Sequence, residues 1–442
     1  MSSQSVVTYP GPPATQADVV VIGGGVIGVS TALRLAEEGH RVTLLEKGRI
    51  AGEQSSRNWG WIRQQGRDLA ELPLMQEARA DWIALSQQTN VDFGLHQGGT
   101  VYLARTDARM AAFANWHGLA TAQGLETELL SAAEADGLFP GMQGPFKGAL
   151  RTRSDMRAEP HLAMQALAGI ALRAGVQLVE NCAVRCLDIV AGRVRGVLHE
   201  AGRTAADAVV LAGGAWSALF LANHGVRLPQ LSVRDTVVAT QPLPEIAAGA
   251  ASTGRVAFRR RADGGYTLAP PGMSELYVGP DAFRALPKYL PQLRADPWAQ
   301  TYLPVAPRGY PDGWGTRRRW QADEVSPFER LRVLNPAPSQ RRVTRVLRDF
   351  GALFPDLPTP RARLAWAGMI DTMPDIVPVV DRCAALPGLV IGTGMSGHGF
   401  GIGPAMGRAL AALVTGAHLR HDLSRFRAGR FDDGSAIQLP PL

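Results

Sequence analysis

The sequence predicts an α/β fold, because two stretches far apart in the chain repeat the order strand, glycine-rich turn and helix. The first stretch, residues 17–48, reads ADVVVIGGGVIGVSTALRLAEEGHRVTLLEKG, and the second, residues 388–416, reads GLVIGTGMSGHGFGIGPAMGRALAALVTG. In each stretch a short apolar run rich in Val, Ile and Leu, typical of a buried parallel strand, precedes the glycines. The chain has 442 residues, of which 46% are hydrophobic, so more than one domain is expected.

The first stretch carries a Rossmann-like, dinucleotide-binding pattern. Gly23, Gly25 and Gly28 follow the first strand in GxGxxG spacing, and Glu46 ends the second strand. The first glycine permits a tight turn, the second lets the backbone approach a pyrophosphate, and the third allows helix and strand to pack closely. The helix N-terminus attracts phosphate, and the acid can accept hydrogen bonds from ribose hydroxyls. An ordinary glycine-rich turn is the alternative, but the complete pattern favours FAD or NAD over NADP.

Charge and cysteine usage exclude several classes of protein. The formal net charge is +7, but the arginines are scattered apart from two RRR triplets. We interpret them mainly as solvated surface, since a nucleic-acid binder more often shows a basic stripe or a known motif. Cys182, Cys186 and Cys383 form no metal or disulfide pattern, which predicts free thiols in a reducing, cytoplasmic location. No apolar run reaches about 18 residues, and we expect residues 1–16 to form a flexible leader rather than a signal peptide.

Other segments indicate further elements. Residues 55–68, SSRNWGWIRQQGRD, hold two tryptophans and three arginines, which is unusual for a simple surface loop. Residues 174–217 read as strands and a hairpin that end in a second buried strand running into glycines. Residues 258–270 fit an antiparallel hairpin with an Asp-Gly turn. Residues 339–357 show the apolar spacing of an amphipathic helix.

Taken in order, these segments resemble the D-amino acid oxidase superfamily of flavoproteins, which includes glycine oxidase, sarcosine oxidase and D-amino acid dehydrogenase. The resemblance runs from about residue 17 to about residue 420 and is weakest in 235–345. It implies FAD as the cofactor. The residues implied to hold FAD are Gly23, Gly25, Val26, Ile27, Gly28, Glu46, Lys47, Ser55, Ser56, Asn58, Trp59, Val184, Gly213, Trp216, Gly394, Gly397, His398, Gly399 and Phe400.

The resemblance also implies two domains. A Rossmann-like FAD-binding domain would be discontinuous and would comprise residues 17–95, 145–235 and 345–430. A substrate domain, an α+β unit built on a mixed sheet, would comprise residues 96–144 and 236–344.

Three residues are candidates for catalytic contacts. Arg63 lies where sarcosine oxidases carry an arginine that binds a carboxylate, although a structural salt bridge is the alternative. Asp371 follows the apolar run WAGMI and could bind a substrate ammonium, as in gamma-glutamylputrescine oxidase-like members, or could cap a turn. His398, within SGHGF, could hydrogen-bond the flavin ring or cap a turn. Arg67 is expected at the surface.

Four positions depart from residues known in family members. Gly368 stands where sarcosine oxidases have the cysteine that attaches the flavin, which implies non-covalent FAD. Ile370 and Gly401 stand where other members have an arginine or a lysine that binds the substrate carboxylate. Ala269 is the nearest match to a lysine credited with activating oxygen, which favours a dehydrogenase slightly over an oxidase.

The resemblance therefore implies an enzyme that oxidises the C–N bond of an amine or amino acid, such as a secondary amine or a D-amino acid. Hydride would pass to the flavin, and water would hydrolyse the imine. The electron acceptor would be oxygen or a quinone. The alternatives are an FAD-binding electron-relay subunit of a hetero-oligomeric amine dehydrogenase and, less favoured, an NAD-dependent dehydrogenase. We expect small-molecule partners, no nucleic acid and no membrane span, and an oligomer is compatible with the sequence.

Overall fold

A six-stranded sheet carries the glycine-rich turn. The structure is a computed structural model that describes residues 9–272, 274–298 and 300–442. The strands of this sheet are β1 (Val19–Ile22), β2 (Val42–Leu45), β9 (Gln177–Val179), β13 (Ala208–Leu211), β21 (Val379–Arg382) and β22 (Leu389–Thr393). Their spatial order is β21-β22-β13-β1-β2-β9. All neighbours pair in parallel except β21 with β22, and we call this the parallel sheet.

Helices cover one face of the parallel sheet. They are α1 (Val26–Glu37), α3 (Leu72–Gln87), α6 (Pro160–Arg173) and α11 (Gly399–Thr415). Val19 and Val21 of β1 face this helical layer and share its core with Leu33, Trp82 and Met406. Trp82 donates its indole N–H to the carbonyl oxygen of Gly401 at 2.9 Å, so the start of α11 is fixed against α3.

A small antiparallel sheet covers the opposite face. Its strands are β10 (Val184–Val190), β11 (Arg193–His199) and β12 (Gly202–Ala205), and α7 (Ser217–Asn223) packs beside it. Val20 of β1 belongs to this second core, because successive side chains of a strand point to opposite faces. Burial on both faces explains the unbroken apolar run of β1.

A second large sheet contains ten strands of mixed direction, and we call it the mixed sheet. Its strands are β5 (Thr100–Ala104), β6 (Glu128–Ser131), β7 (Gly148–Thr152), β14 (Leu231–Thr240), β15 (Ala250–Ser252), β16 (Ala257–Arg260), β17 (Tyr266–Ala269), β18 (Ser274–Tyr277), β19 (Gln300–Leu303) and β20 (Ala362–Thr372). The order is β19-β18-β14-β17-β16-β15-β5-β7-β6, and β20 pairs with β14.

The other described elements are short or lie around the two sheets. The helices are α2 (Gln54–Arg57), α4 (Asp107–Ala122), α5 (Ala132–Leu138), α8 (Pro280–Ala295), α9 (Pro327–Arg330) and α10 (Gln340–Leu353). The strands β3 (Trp61–Ile62), β4 (His96–Gln97) and β8 (Met156–Arg157) form a three-stranded sheet. The 3-10 helices are Gly214–Trp216, Ser424–Phe426 and Ala428–Phe431.

Strand β20 connects the two large sheets. It pairs antiparallel with β14 from Thr372 opposite Leu231 to Ala362 opposite Thr240. At its end the carbonyl oxygen of Asp371 accepts a hydrogen bond from the Ser396 N–H at 2.9 Å. The mixed sheet is therefore bonded directly to the turn that follows β22 of the parallel sheet.

Several sequence-based predictions about elements are confirmed. The α/β class, both strands of the glycine motif and the strand–turn–helix of residues 388–416 are present. The hairpin within 258–270 forms between β16 and β17, and Gly264 in its turn has a φ of +82°. The helix expected within 339–357 is α10. The three cysteines are buried and free.

The expected flexible leader needs a correction for part of its length. Residues 1–8 lie outside the described residues. Residues 9–16 are bonded to the fold, since Tyr9 O accepts from Glu180 N–H at 3.0 Å and Gln16 forms a parallel bridge with Ala205. Backbone pairing with strand ends therefore fixes this stretch, and it is not a flexible leader.

The domain boundaries stay a prediction. Two strands expected in the FAD-binding domain, β7 and β20, pair within the mixed sheet. Among the described residues, no helix combines the length and the apolar character needed to cross a membrane.

Candidate functional site

Two adjoining lobes of one cleft lie at the carboxyl ends of β1, β13 and β22. In an open α/β sheet this is the edge where ligands bind, at the point where the strand order reverses. The small lobe has a volume of about 110 Å³ and the large lobe about 520 Å³. Both lobes are lined by Gly25, Gln54, Ser55, Ala212 and Gly214, so an elongated ligand could extend from one lobe into the other.

At the glycine turn, the backbone packs directly against the backbone of neighbouring residues. Gly23 has a φ of +109°, and a Cβ there would lie 2.4 Å from the carbonyl oxygen of Ala212. A Cβ on Gly28 would lie 1.9 Å from the carbonyl oxygen of Gly23. Neither position accepts a side chain without movement of the backbone, which matches the roles expected for these glycines.

Ser55 caps the start of α1 from another segment. Gly25 is the N-cap and has no side chain, and Ser55 Oγ accepts a hydrogen bond from the Val26 N–H at 2.9 Å. The hydroxyl hydrogen of Ser55 is not used in this bond and can be donated to a phosphate. Ser56, also predicted to contact phosphate, instead donates its hydroxyl to Ala51 O at 2.6 Å and lines neither lobe.

Glu46 is fixed by the backbone around the small lobe. Gly24 N–H donates to Glu46 Oε2 and Gly48 N–H donates to Oε1, both at 2.7 Å. Burial raises the pKa of Glu46, and nearby Lys47 and the backbone donors oppose that rise. The carboxylate thus stands at the end of β2, where the sequence predicted a ribose contact.

Lys47 and Trp216 line the small lobe, and both contact Glu53, an acid that the sequence analysis did not single out. Lys47 Nζ lies 2.6 Å from Glu53 Oε1 and 4.4 Å from the centroid of the Trp216 ring. The Trp216 indole N–H donates to the same Glu53 oxygen at 3.1 Å. The ammonium of Lys47 is therefore engaged within the protein. Glu53 directly precedes the QSSR sequence of α2. Its closeness in sequence to Ser55 was the only signal that could have indicated its role.

Asp371 holds the turn at residues 394–398, which connects β22 to α11. Its Oδ2 accepts hydrogen bonds from Gly394 N–H at 2.8 Å and from Gln230 Nε2 at 3.1 Å. The residue is 1% exposed, and burial raises the pKa of its carboxyl group. Asp371 also lines the large lobe, but one of its oxygens is committed to turn 394–398, which is not the turn before Thr372 and Pro374 that the turn-capping alternative named.

A second buried cluster surrounds His398. The Nδ1 of His398 lies 3.5 Å from Glu71 Oε2, and Arg67 Nη1 lies 3.6 Å from the same oxygen. Burial, reinforced by Arg67, lowers the pKa of His398 to about 4. Burial opposes ionisation of Glu71, but His398 and Arg67 outweigh it and lower the pKa of Glu71. We therefore describe a neutral imidazole beside an ionised Glu71 at neutral pH.

The prediction that Arg67 lies at the surface is wrong. Arg67 is 2% exposed, and burial lowers its pKa to about 10, which leaves it charged at neutral pH. It is buried beside turn 394–398, where Arg67 Nη2 donates to the His398 carbonyl oxygen at 3.5 Å. The i, i+4 spacing of Arg67 and Glu71 was the available signal for this pair.

Arg63 faces the large lobe. Its guanidinium lies 5.6 Å from the centroid of Tyr102, and Nη1 donates to the carbonyl oxygen of Gln65. Among the described residues it has no acid within 4.0 Å, so the expected alternative of a structural salt bridge is not observed.

Most of the predicted residues line the cleft. Those on the small lobe are Gly23, Gly25, Glu46, Lys47, Ser55, Val184, Gly213 and Trp216. Those on the large lobe are Gly25, Val26, Ile27, Ser55, Asn58, Trp59, Arg63, Asp371, Gly397, His398, Gly399 and Phe400. Gly28, Ser56 and Gly394 line neither lobe. Gly28 packs under the glycine turn, and Gly394 donates its N–H to Asp371.

Replacing Asp371 with alanine should lower the free energy of unfolding by about 1–3 kcal/mol, because the buried Gly394 N–H would lose its acceptor. Asp371→Asn keeps one acceptor oxygen and should lose less. Chemical unfolding of both variants measures the difference. If the alanine variant were as stable as the unsubstituted protein, Asp371 would not hold the turn.

A family model described as FAD dependent oxidoreductase (DAO) matches residues 18–413. The chain belongs to this family of FAD-dependent oxidoreductases. FAD is the cofactor of the DAO family, and the cleft fits it on three observations. The glycine wall leaves no room for side chains, the Ser55 hydroxyl hydrogen is free to be donated, and Glu46 stands at the far end of the small lobe.

Curated relatives match about half of the chain. D-amino acid dehydrogenase of Sinorhizobium medicae (strain WSM419) is 28% identical over 272 residues, which are 49% of this chain and 65% of that protein. Glycine oxidase of Geobacillus kaustophilus (strain HTA426) is 34% identical over 247 residues, which are 51% of this chain and 62% of that protein. The chain therefore matches less than two thirds of the length of either relative.

Solved structures match nearly the whole chain. L-amino acid deaminase from Proteus myxofaciens, determined with anthranilate, superposes with a TM-score of 0.90 at 28% identity and covers 97% of this chain and 96% of that one. Glycine oxidase from Geobacillus kaustophilus superposes with a TM-score of 0.76 at 22% identity, over 94% of this chain and 99% of that one, and shows the fold alone.

Proposed function

We propose that this DAO family member oxidises the C–N bond of an amine or amino acid, and that the substrate binds in the large lobe. The observation that carries the proposal is Arg63, a guanidinium without an acid partner among the described residues, on the wall of the same lobe as turn 394–398. An arginine binds a carboxylate through two parallel hydrogen bonds, which fixes both position and orientation.

The side chains of the lobe would orient the substrate and keep it in the required protonation state. When bound, FAD supplies the oxidising power by accepting hydride from the carbon that bears the amine. Arg63 would hold the substrate carboxylate, and the neutral His398 would accept or donate a hydrogen bond without adding charge. Asp371 would keep turn 394–398 in place and could direct its remaining oxygen toward a substrate ammonium. Trp59 and Phe400 line the lobe and would exclude water from the reacting carbon.

The residues that would hold FAD extend along the cleft. Glu46 and Val184 would contact the adenosine end, while Gly23, Gly25 and Ser55 would contact the pyrophosphate. Gly397 and Gly399 would lie beside the flavin ring. Gly368 leaves no thiol at the expected attachment position, which supports non-covalent binding.

The alternative, an electron-relay subunit, is less well supported. A relay subunit needs no substrate cavity beside its cofactor, whereas this chain has a large lobe of about 520 Å³, and the arginine on its wall has no acid partner in the part of the chain that the structure describes. The electron acceptor would be oxygen or a quinone. Ala269, the nearest match to the oxygen-activating lysine, is 1% exposed in β17, and slow reoxidation in air would favour a quinone. A cytoplasmic location is part of the proposal.

The direct test is an anaerobic screen of amines and amino acids, both enantiomers of each, against the FAD-loaded protein. Loss of the visible flavin absorption with at least one substrate is expected. Tight FAD binding without bleaching by any amine would contradict the proposal and would favour the relay subunit.

Replacing Arg63 with alanine should raise the KM for carboxylate-bearing substrates by at least about tenfold, since a charge-assisted hydrogen bond contributes about 1.5–3 kcal/mol. Amines without a carboxylate should be affected much less. Arg153→Ala is the matched control, because Arg153 pairs with Glu128 at the surface. An equal loss on both substrate classes would count against the assigned role.

A further inference from the structure

One wall of the large lobe is a face of the mixed sheet. Along β14, Val233, Asp235 and Val237 line the lobe, as expected for alternate residues of a strand. The residue between the first two, Arg234, is bonded to Glu275 at 2.8 Å. Asp235 is therefore an acid placed between two valines on an otherwise apolar strand face.

A row of residues crosses four adjacent strands at the level of Asp235. Gly368 of β20 pairs with Asp235. On the other side, Arg234 pairs with Glu275, which places Asp235 beside Ser274 of β18. Ser274 in turn pairs with Gln300 of β19. All four members of the row line the large lobe, and Gln292 of α8 lines it as well.

Two side chains at this wall of the large lobe, Asp235 and Gln292, offer acceptor oxygens to a ligand. Among the described residues, Asp235 has no cation within 4.0 Å, because Arg234 and Arg342 both pair with Glu275, at 2.8 and 3.3 Å. Gln292 Oε1 is buried without a hydrogen-bond partner. Burial raises the pKa of Asp235 to about 6. A buried acceptor without a partner destabilises a fold, so an N–H donor of a ligand would satisfy Gln292, and the positive charge of the ligand would offset the negative charge of Asp235.

The row lies away from turn 394–398, beside which the flavin ring would lie under the proposed function. Turn 394–398 reaches β20 at Ile370, where a Cβ on Gly397 would lie 3.7 Å from the Ile370 side chain. Asp235 is opposite Gly368, two residues further along β20. Two residues of a strand span about 7 Å, so a substrate held beside turn 394–398 would need a second group about that far along its chain to reach the row.

We propose that Asp235, Ser274, Gln292 and Gln300 form a distal subsite for a positively charged group of the substrate. The substrate class would be amino acids or amines that carry a second amino or guanidino group. This inference rests on the proposed function for its substrate, but the subsite itself can be tested by binding alone.

The test compares 6-aminohexanoate with hexanoate, since both offer a carboxylate to Arg63 and only the first adds a distal ammonium. Binding to the FAD-loaded protein is measured by the shift of the flavin absorption spectrum. We expect at least tenfold tighter binding of 6-aminohexanoate at pH 8, and a loss of this preference in Asp235→Asn. Asp356→Asn, which removes the same charge at an exposed site, should keep the preference.

A pH titration of the unsubstituted protein gives a second readout if the variant folds poorly. The charged groups nearest Asp235 are Glu275 and Arg342, with Arg57 beside Gly368. Asp235 gains a proton below about pH 6 and then no longer attracts an ammonium group. The preference for 6-aminohexanoate over hexanoate should therefore shrink between pH 8 and pH 5. Equal binding of the two ligands at pH 8, no binding of 6-aminohexanoate, or an unchanged preference in Asp235→Asn would each overturn the subsite. The anaerobic amine screen, which tests the proposed function, gives its result independently of this comparison of 6-aminohexanoate with hexanoate.

Discussion

An alanine at position 28 is expected to abolish FAD binding and to lower the free energy of unfolding by about 3 kcal/mol. The added Cβ would lie 1.9 Å from the carbonyl oxygen of Gly23 and 3.3 Å from the Val21 side chain. Gly23 cannot retreat, because it already packs against the Ala212 carbonyl. Overpacking a core usually costs about 1–3 kcal/mol, and a clash with backbone belongs at the upper end. Flavin absorbance after purification and urea unfolding measure the two effects.

The matched control is Gly169→Ala, in the middle of α6. There the nearest atom to an added Cβ is the end of the flexible Arg173 side chain, 3.6 Å away. Alanine in a helix interior is about 0.5–1 kcal/mol more favourable than glycine, so this variant should bind FAD and be slightly stabilised. Similar behaviour of the two variants would show that the packing of Gly28 does not control the cleft.

Removing the buried Arg259 side chain should destabilise the fold by about 3–5 kcal/mol, because the buried carboxylate of Glu159 would keep only the more distant Arg157, at 3.9 Å, as a charged partner. Arg259 is 1% exposed and binds Glu159 through two bonds, of 2.8 and 3.0 Å. It also donates to the carbonyl oxygen of Trp59, on the wall of the large lobe. Urea unfolding of Arg259→Ala measures the loss. Arg153→Ala, whose partner Glu128 is exposed, should cost less than about 1 kcal/mol.

The pair formed by Arg259 and Glu159 should also make the stability of the protein sensitive to acid. Burial alone would raise the pKa of Glu159, but the hydrogen bonds and charge of Arg259 outweigh it and lower the pKa to about 2. The stabilisation is present above the ordinary pKa of about 4.5 and is lost as the pH falls from there to about 2. The difference in stability between the unsubstituted protein and Arg259→Ala should therefore narrow across this range. A constant difference down to pH 2 would contradict the assignment.

The local parts of the cleft could be predicted from the sequence. The strands that flank the glycine motif, the position of Glu46 and the hairpin turn at Gly264 depend on neighbours within a few residues or within one supersecondary unit. Their glycine spacing and apolar runs specify them directly. The same reasoning located turn 394–398, because a strand, glycines and a helix follow one another there.

Burial that depends on distant segments was not predictable in this way. Arg259 lies in an RRR triplet that we interpreted as solvated surface, yet it is enclosed by Glu159 and Trp59, 100 and 200 residues away in the sequence. Arg67 likewise bonds to His398 of turn 394–398, more than 300 residues away in the sequence. The pairing of β20 with β14 also joins segments more than 120 residues apart, and strand composition does not specify the partner.

The order in which these segments emerge during synthesis has a consequence for maturation. A nascent chain exposes β1, the glycine turn and β2 early, and N-terminal units generally begin to fold first. The opposite wall of the large lobe, from Gly392 to Gly401, is made only after more than 300 further residues have been added. FAD thus meets a half-built cleft until these residues have been synthesised, so flavin loading follows their synthesis, and truncated products ending before β22 should leave the ribosome colourless.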